Sequence, residues 1–434
     1  MPKKTILTSV QLSPYGVANQ VGCRRVSSAN DKRLRQLVAL IMAQGLAVTA
    51  QAQTTSQSPA PAGTPPASAD SPSVPAPESL PTNPPSATAE SGNPPAKLPD
   101  VLVTGSAPDS YKADDVALPK YTEPLRDTPQ SITVVPKQVM QDQNSTTLRD
   151  VLRNVAGISI AAGEGGSQGD NLTLRGFTAR NDIFLDGMRD FGSYYRDPFI
   201  FEQVDVLEGP ESVMFGRGST GGIINQETKT PELSPFIAGT LTAGTDLTRR
   251  ATMDLNEPLP DLGQGAALRL NLMGNDSKVA GRDVGENRRF GIAPSLAFGL
   301  GTSTRLTLSY LHESEDDIPD YGIPWYFNGP ASVSRENYYG FKDDYLKTNV
   351  DMFTAKLEHD VSDSLTLSNQ ARFANYTRDF RITEPKIDPA TTLATPQSAI
   401  IVDRNELGGR STETYLWDQM DATARFNTGF IEHT

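Results

Sequence analysis

The stretch Thr-Arg-Leu-Thr-Leu-Ser-Tyr-Leu-His, residues 304 to 312, decides the fold because its apolar and polar side chains alternate. The two sets are Leu306, Leu308 and Tyr310 on one side, and Arg305, Thr307 and Ser309 on the other. Successive side chains of a strand point to opposite faces, so a period of two indicates a β-strand with one apolar face. Such a strand fits either a soluble antiparallel sheet or a membrane-spanning barrel.

The same alternation recurs after Pro231 and predicts eight strands, beginning near residues 236, 248, 266, 288, 304, 350, 364 and 412. Strands of about 10 residues are longer than the ~5 to 6 typical of soluble sheets. Three predicted connections are long (277–287, 315–349 and 380–411), whereas those near 300–303 and 361–363 are tight turns. Alternating short and long connections favour an outer-membrane barrel, whose two ends face different compartments.

The segment before these strands, residues 111–231, has a different pattern of short apolar runs and glycine-rich turns. It predicts a small mixed α/β domain with a helix over 147–155 and a second, short helix ending at Phe215. Predicted strands cover 171–174, 183–185, 204–207 and 223–226. The glycine-rich turn from Gly216 to Gly222 lacks the lysine of a phosphate loop and is not a nucleotide site.

The N-terminal region has the features of an export signal followed by a linker. Basic residues precede the apolar run 37–50, which ends in Ala50-Gln51-Ala52, so residues 1–52 are predicted to be a secretory signal peptide; a buried core helix is the alternative. Cleavage would remove Cys23, the single cysteine, and a cysteine-free exported chain fits a bacterial envelope. Residues 53–99, rich in Pro, Ala and Ser, are expected to form a disordered linker.

The composition excludes several classes of function. The formal net charge of -13, from 52 acidic and 39 basic residues, argues against a nucleic-acid-binding protein, which needs a basic face. Two of the 3 histidines lie in strand patterns and have no Ser, Cys or metal-ligand partner at a spacing typical of a catalytic or metal site. We therefore expect no enzyme activity, no catalytic residues and no metal site.

Several short motifs, taken together, resemble the TonB-dependent outer-membrane receptors of bacteria. They are DVLVTG (100–105), TPQSITVV (128–135), TLRDVLRNVAGI (147–158), LRGF (174–177), FLDG (184–187) and VDVLEGPESVMFGRGSTGGIINQETK (204–229). The resemblance implies that residues 111–231 form the plug domain and residues 236–434 the N-terminal part of the barrel. It also implies that the TonB box comprises Asp100, Val101, Leu102, Val103 and Thr104, with Gly105 at its end.

The fold implied is mainly β, an α/β plug followed by an incomplete antiparallel transmembrane β-barrel. Plugged transporter barrels have about 22 strands, whereas an eight-stranded interior is filled by its own side chains and could not hold a plug. We therefore expect this chain to contain about the first third of the barrel, which alone should neither close nor transport. The implied location is the bacterial cell outer membrane.

The runs 189–199 and 318–325 are similar to the siderophore branch of the family, and particularly to its catecholate receptors. The function implied is import of a ferric siderophore, with energy from TonB and its inner-membrane partners ExbB and ExbD. The other implied contacts are outer-membrane lipid and lipopolysaccharide, and no cofactor is expected because the iron arrives wrapped by its ligand. Import of cobalamin, haem or a glycan, and a passive porin or adhesin barrel, are the alternatives.

Arginine forks and aromatic rings suit an anionic, aromatic iron complex through charge-assisted hydrogen bonds, stacking and cation–π contacts. The predicted ligand-binding residues are Arg189, Tyr194, Tyr195, Arg196 and Phe199, with Trp325 and Tyr326 as a second group. Alternatively, the tyrosines pack between plug and barrel, the arginines pair with Asp190 and Asp197, and the second group belongs to a lipid-interface girdle.

Two further sets of residues are predicted to hold and to move the plug. By resemblance, Arg175 and Arg217 pair with barrel carboxylates and lock the plug in place, since a buried arginine needs a partner. The TonB box is β-prone and can add as a strand to the sheet edge of TonB.

Overall fold

The computed structural model describes residues 111–113, 115–118, 120–121, 123–216, 220–429 and 431–433. The predicted signal peptide (1–52), linker (53–99) and TonB box (100–105) lie outside the described residues. Within these ranges, none of the helices has the length and apolar character needed to cross a membrane.

The plug domain is built from eight short strands and four one- or two-turn helices around one core. The strands are β1 (Ser131–Pro136), β2 (Ile158–Ile160), β3 (Leu172–Leu174), β4 (Phe177–Thr178), β5 (Ile183–Leu185), β6 (Met188–Arg189), β7 (Phe201–Glu208) and β8 (Gly222–Thr228). The helices are α1 (Lys137–Asp142), α2 (Leu148–Val151), α3 (Gly163–Gly166) and α4 (Ser212–Phe215), with 3-10 turns at Leu125–Asp127 and Pro198–Ile200.

Two sheets organise the plug: a five-stranded one in the order β1-β7-β8-β5-β6, and a three-stranded one in the order β2-β3-β4. The central strands β7 and β8 are buried on both faces, which explains the near-continuous apolar run of Val204, Val206 and Leu207. Helix α2 packs its Leu148 and Val151 into this core.

The predicted helix over 147–155 is shorter than expected. Thr147 caps it by accepting a hydrogen bond from the backbone N–H of Asp150, but the α-helix ends at Val151. Beyond that point the chain continues in tighter turns, and the Val155 N–H donates to the Leu152 carbonyl at 3.1 Å. The apolar spacing still holds, since Leu148, Val151, Leu152 and Val155 are all buried.

The eight strands predicted after Pro231 form one antiparallel sheet in the order β18-β17-β16-β13-β12-β11-β10-β9. They are β9 (Phe236–Ala243), β10 (Arg249–Pro258), β11 (Ala267–Lys278), β12 (Glu286–Phe298), β13 (Thr304–Asp317), β16 (Tyr345–Ser362), β17 (Leu365–Ile387) and β18 (Val402–Ala424). Small hairpins are formed by β14 (Trp325–Tyr326) with β15 (Gly329–Pro330), and by β19 (Phe426–Thr428) with β20 (Ile431–His433). Two more 3-10 turns occur at Pro260–Leu262 and Gln397–Ala399.

Connection lengths agree with the sequence pattern except around the last strand. Tight turns join β12 to β13 and β16 to β17 at one end of the sheet, and the long connection between β13 and β16 lies at the other. We call these the short-turn and long-loop ends; in outer-membrane barrels they face the periplasm and the exterior. Strand β18 starts at Val402 instead of near 412, because β17 and β18 stay paired from Leu365↔Ala424 to Ile387↔Val402.

The burial pattern of this sheet is inverted relative to a soluble sheet. On β17 the polar Gln370 and Arg372 are buried, with Arg372 only 2% exposed, while the apolar Phe373 is 47% exposed. On β16 Thr354 is buried and its neighbour Phe353 is 46% exposed. Polar side chains therefore face the plug and apolar ones face outward, as in a membrane barrel and not in a soluble sheet.

Candidate functional site

A pocket of about 210 Å³ lies at the long-loop end, where the plug meets the barrel wall. Plug segments around α3, after β4 and after β6 line one side, and Arg378 of β17 lines the other. Arg180 donates to the Ser193 hydroxyl at 2.8 Å, and Arg378 donates to the Gln168 side-chain oxygen at 3.4 Å. Two guanidinium groups thus border one opening, together with the carboxyl groups of Glu164 and Asp170, and can donate charge-assisted hydrogen bonds to an anionic ligand.

A tyrosine from the long loop after β13 extends this end of the plug. The Tyr321 ring lies so close to Gly163 that a Cβ there would sit 3.2 Å from it, and Gly163 also has a φ of +60°. Only glycine combines that backbone conformation with so close an approach. The Tyr321 hydroxyl donates to Glu384 at 2.9 Å, which fixes the ring over the plug.

Three of the predicted ligand-binding residues, Tyr194, Arg196 and Phe199, are buried in the structure. The Arg196 Nε donates to Asp190 at 2.7 Å, and its guanidinium lies 4.4 Å from the centre of the Tyr194 ring. The Tyr194 hydroxyl donates to the same carboxylate at 2.9 Å. These contacts match the alternative in which the cluster packs internally; ligand contact by these residues stays a prediction.

Burial and the neighbouring charges shift the pKa values of the acidic and tyrosine side chains in this cluster. Burial alone would raise the pKa of Asp190, but Arg196 and the hydroxyl donors hold it below its ordinary value. Burial, followed by the charge of Asp190, raises the pKa of Tyr194 well above its usual range. Burial also raises the pKa of Asp170 to about 6, even though Arg196 opposes that rise. The cluster is therefore a fixed, water-excluded ion network.

The remaining predicted ligand-binding residues are less enclosed. Tyr195 lies between two cations, with its ring 4.7 Å from the Arg289 guanidinium and 5.8 Å from that of Arg149. Arg189 pairs with Asp182 at 3.6 Å. Trp325 is 67% exposed on β14, while the neighbouring Tyr326 hydroxyl donates to the Thr392 carbonyl at 3.3 Å. The structure therefore does not bring all seven predicted residues into one site.

Most ion pairs between the plug and the barrel join a barrel arginine to a plug carboxylate, whereas the prediction joined a plug arginine to a barrel carboxylate. Arg250 of β10 forms a two-pronged pair with the plug residue Asp197, at 2.6 and 2.7 Å. Arg372 of β17 donates to the Leu185 carbonyl at 2.8 Å and to Asp186 at 3.3 Å. These barrel arginines bind plug acceptors, so we call the Arg250–Asp197 and Arg372–Asp186 pairs the plug locks.

The arginines predicted to act as locks have other positions. Arg175 is exposed in the β3–β4 turn, where its φ is +53°. Among the described residues no barrel carboxylate pairs with it, because its turn points its side chain to solvent. Arg217 lies outside the described residues, so its role stays a prediction. The pairing expected of plug cations is instead made by Lys229, whose Nζ lies 3.2 Å from Asp254 of β10.

Aromatic stacking adds a further contact between plug and barrel. The Phe191 ring stacks on Tyr415 and Trp417 of β18, with centres 4.9 and 5.8 Å apart. Gly192 follows, and a Cβ there would lie 2.4 Å from the Tyr376 ring.

No group of three or more His, Cys, Asp or Glu side chains that could hold a metal ion occurs in the described ranges.

The comparisons with known proteins identify the family. Residues 124–223 match the model of the TonB-dependent receptor plug domain. The chain is 38% identical over 348 residues to a probable TonB-dependent siderophore receptor, PiuA, of Acinetobacter baumannii, covering 78% of this chain and 46% of the relative. The chain carries the plug domain of the TonB-dependent receptors. It is also 36% identical over 356 residues to the catecholate siderophore receptor Fiu of Escherichia coli K12, covering 77% and 46%.

Solved structures agree with this assignment. The closed form of Fiu from Escherichia coli, a ferric-catecholate import receptor, matches with a TM-score of 0.68 at 35% identity, over 73% of this chain and 47% of that one. The siderophore receptor PiuA of Acinetobacter baumannii matches with a TM-score of 0.69 at 39% identity, over 74% and 46%. The chain thus spans about half the length of the relatives it matches. Family and inverted burial together place this receptor in the outer membrane.

Sequence reasoning missed the residues that border the pocket, Arg180 and Arg378, and the plug locks. Arg378 lies on the same face of β17 as Arg372 and Tyr376, so strand parity was a usable signal for it. Arg180 had no such signal, since it lies in a turn and meets Arg378 only through the tertiary fold.

Proposed function

We propose that the receptor imports a ferric siderophore of the catecholate type across the outer membrane, with energy from TonB working with ExbB and ExbD. The observation that carries the proposal is a folded plug held by ion pairs inside an inverted barrel sheet, since a passive porin has no use for a removable plug. The relatives support a siderophore as the ligand, since Fiu is a catecholate siderophore receptor and PiuA a probable siderophore receptor.

The pocket chemistry is compatible with such a ligand. Among the described residues no carboxylate lies at ion-pair distance from Arg180 or Arg378, so both guanidinium groups can bind an anionic catecholate complex, although Glu164 and Asp170 line the same pocket. Ferric iron enters already coordinated, so the receptor needs shape and charge recognition and no metal ligands of its own. We also propose that lipopolysaccharide of the outer membrane contacts the outside of the barrel.

Uptake by the full-length receptor tests the function. The gene is expressed in bacteria that lack other catecholate receptors, and uptake of radiolabelled ferric dihydroxybenzoate is measured with and without TonB. We expect surface binding in both strains and accumulation in the TonB-containing strain alone. Accumulation without TonB would indicate a passive pore, and binding of cobalamin, haem or a glycan in place of the iron complex would indicate another nutrient.

Single substitutions test the pocket. Replacing Arg180 or Arg378 by Ala removes one charge-assisted hydrogen bond and should weaken surface binding about tenfold or more. Arg381→Ala is the matched control, because Arg381 lies on the opposite face of β17 and pairs with Asp343. Equal binding by all three variants would remove the pocket from the ligand site while leaving the transport result intact.

A further inference from the structure

One row of outward-facing residues crosses seven neighbouring strands of the barrel sheet and carries a charge on every strand. Cross-strand pairing puts its members side by side, as with Asp276 opposite Arg288. Between β12 and β13 the pairing Arg289↔Glu315 sets the register that places Arg288 beside Asp316. The sign of the charge alternates at each step from β10 to β18. We call this the charged row: Arg249, Asp276, Arg288, Asp316, Lys347, Asp379 and Arg410.

The side chains of the charged row point away from the plug. Arg250, Arg289 and Glu315, each one residue from a member of the row, are buried on the inner side of the sheet. Successive side chains of a strand point to opposite faces, so the members of the row face outward. Their exposure agrees with this, since the side chains of Arg288 and Arg410 are 54% and 80% exposed.

Pairing within the charged row does not use up its charge. The Lys347 ammonium lies 3.5 Å from Asp316, and the Arg410 Nε donates to Asp379 at 2.9 Å. Such exposed pairs contribute only about 0 to 1 kcal/mol each to stability. Both partners of each pair remain open to the surroundings of the barrel. A row of alternating sign is therefore complementary to a partner that itself presents both positive and negative charge.

The charged row also rises relative to the lipid-facing residues. On β12 Arg288 lies two residues, about 7 Å, beyond the outward Phe290, whereas on β17 Asp379 lies six residues, about 20 Å, beyond the outward Phe373. Strands tilted by about 40° and spaced by about 4.8 Å produce a rise of about 10 Å over the three steps from β12 to β17. The headgroup layer of a phospholipid is only about 5 to 8 Å thick. The row therefore crosses a deeper polar layer than phospholipid provides.

We propose that the charged row is the docking site for the phosphate groups of lipopolysaccharide in the outer leaflet. Its arginines and its lysine bind phosphates directly through charge-assisted hydrogen bonds. Its aspartates bind the divalent cations that bridge neighbouring phosphates, since Mg²⁺ is commonly held by one or two carboxylates together with phosphate oxygens. The proposal rests on the proposed contact with lipopolysaccharide and assigns that contact to named residues.

Lipid binding by the purified full-length receptor tests the basic members of the row. Arg288→Gln combined with Lys347→Gln removes two cations and should weaken the binding of fluorescently labelled lipopolysaccharide about tenfold or more in the presence of Mg²⁺. Arg288→Lys combined with Lys347→Arg keeps both charges and should bind like wild type. The matched control is Arg305→Gln combined with Lys356→Gln, on the inward face of β13 and β16, and should also bind like wild type.

A chelator tests the aspartates separately. Asp276→Asn combined with Asp316→Asn should weaken lipopolysaccharide binding in Mg²⁺ and should match wild type in EDTA, where the bridging ions are absent. Wild type itself should bind more weakly in EDTA than in Mg²⁺. An equal or higher affinity of the aspartate variant in Mg²⁺ would overturn the bridging role.

Phosphatidylglycerol vesicles distinguish the source of the phosphate. This lipid has one phosphate and no phosphorylated sugars, and we expect the glutamine variant and wild type to bind it alike. An equal loss for both lipids would overturn lipopolysaccharide as the occupant. Unchanged lipopolysaccharide binding by the glutamine variant would overturn the docking site and leave the row with cross-strand pairing alone.

These outcomes do not depend on transport. Absence of TonB-dependent uptake by wild type would overturn the proposed import function, whereas loss of the lipid-binding differences would overturn the docking site. The two failures are therefore distinguishable.

Discussion

Individual charged residues decide how the plug is held. Arg250 and Arg372 reach inward from the barrel to acceptors on the plug, whereas Arg196 pairs within the plug with Asp190. The arrangement places guanidinium groups on the rigid wall, where strand geometry fixes their direction. The plug contributes Asp197 and Asp186 from the turns before the 3-10 turn Pro198–Ile200 and between β5 and β6.

The Arg250–Asp197 lock should be energetically important. Asp197→Asn leaves a buried arginine without its counter-charge, and breaking such a pair costs about 3 to 5 kcal/mol. We expect faster trypsin cleavage of the plug in the purified full-length receptor. Asp379→Asn, which breaks the exposed pair with Arg410, is the control and should change stability by about 0 to 1 kcal/mol. Equal protection of both variants would contradict the lock.

Asp205 should make plug stability depend on pH. Burial raises the pKa of Asp205 to about 6, from an ordinary value of 3.8, despite hydrogen bonds from Asn225, Gln203 and the Ala117 N–H. Between those two values the folded state binds the proton more tightly than the unfolded state. The contribution of Asp205 to stability is therefore greatest below about pH 4 and falls as the pH rises through 6, by up to about 3 kcal/mol.

The Asp205→Asn variant isolates this effect. Its plug should lose less stability than wild type between pH 4.5 and pH 7.5, values that bracket the raised pKa of about 6. Hydrogen exchange of residues 115–118 and of β7 in the full-length receptor at the two pH values measures the difference. An identical pH dependence in both proteins would show that the Asp205 carboxyl is not responsible.

At the scale of the element, the barrel strands bury their polar face and expose their apolar face, the reverse of strands in a soluble sheet. The outward Phe373 and the inward Ser368 on β17 show the pattern: the first faces lipid, and the second lines a cavity between the plug and the barrel wall. The same charge should therefore have opposite consequences on the two faces of one strand.

Lysine substitutions on β17 test this difference. Phe373→Lys places a charge on the lipid face, where the cost is about 2 to 4 kcal/mol near the membrane midplane. Ser368→Lys, an odd number of residues away and facing the cavity, should cost little. Urea unfolding of the full-length receptor in lipid vesicles compares the two variants. A larger loss for Ser368→Lys would contradict the inverted burial.

Most elements could be predicted from the sequence, and the exceptions have physical causes. Period-two alternation located all eight barrel strands, and apolar spacing located α2, because both signals depend on neighbours within one element. The early start of β18 at Val402 could not be predicted, since it depends on its register with β17. The early end of α2 likewise depends on how its apolar residues meet the plug core.

At the scale of the whole molecule, the proposed import requires that the plug and barrel be coupled to an energy source, and the predicted TonB box is the segment expected to do so. Val103→Pro removes a backbone donor from a segment expected to pair as a strand with TonB. We expect loss of TonB-dependent uptake with unchanged surface binding of the iron complex. Val103→Ala, which keeps the N–H, is the control and should retain most uptake. Full uptake by the proline variant would show that coupling does not use this segment.

The candidate site was only partly predictable. The sequence indicated that arginine and aromatic residues of 189–199 were important, and the structure places several of them in a buried network. Arg180 and Arg378, which border the pocket, are separated by nearly 200 residues and become neighbours only when the plug is inside the barrel. Local pattern cannot report a contact of that kind.

The sequence by itself determined that residues 304 to 312 form a two-sided strand, that seven similar strands accompany it, and that a glycine-rich domain precedes them. Tertiary structure alone decided which side is buried. Alternation defines two faces but does not say what each face meets, because burial depends on elements far apart in the chain. The bond from Arg372 to the Leu185 carbonyl, across 187 residues, therefore decides that the polar face is the inner one.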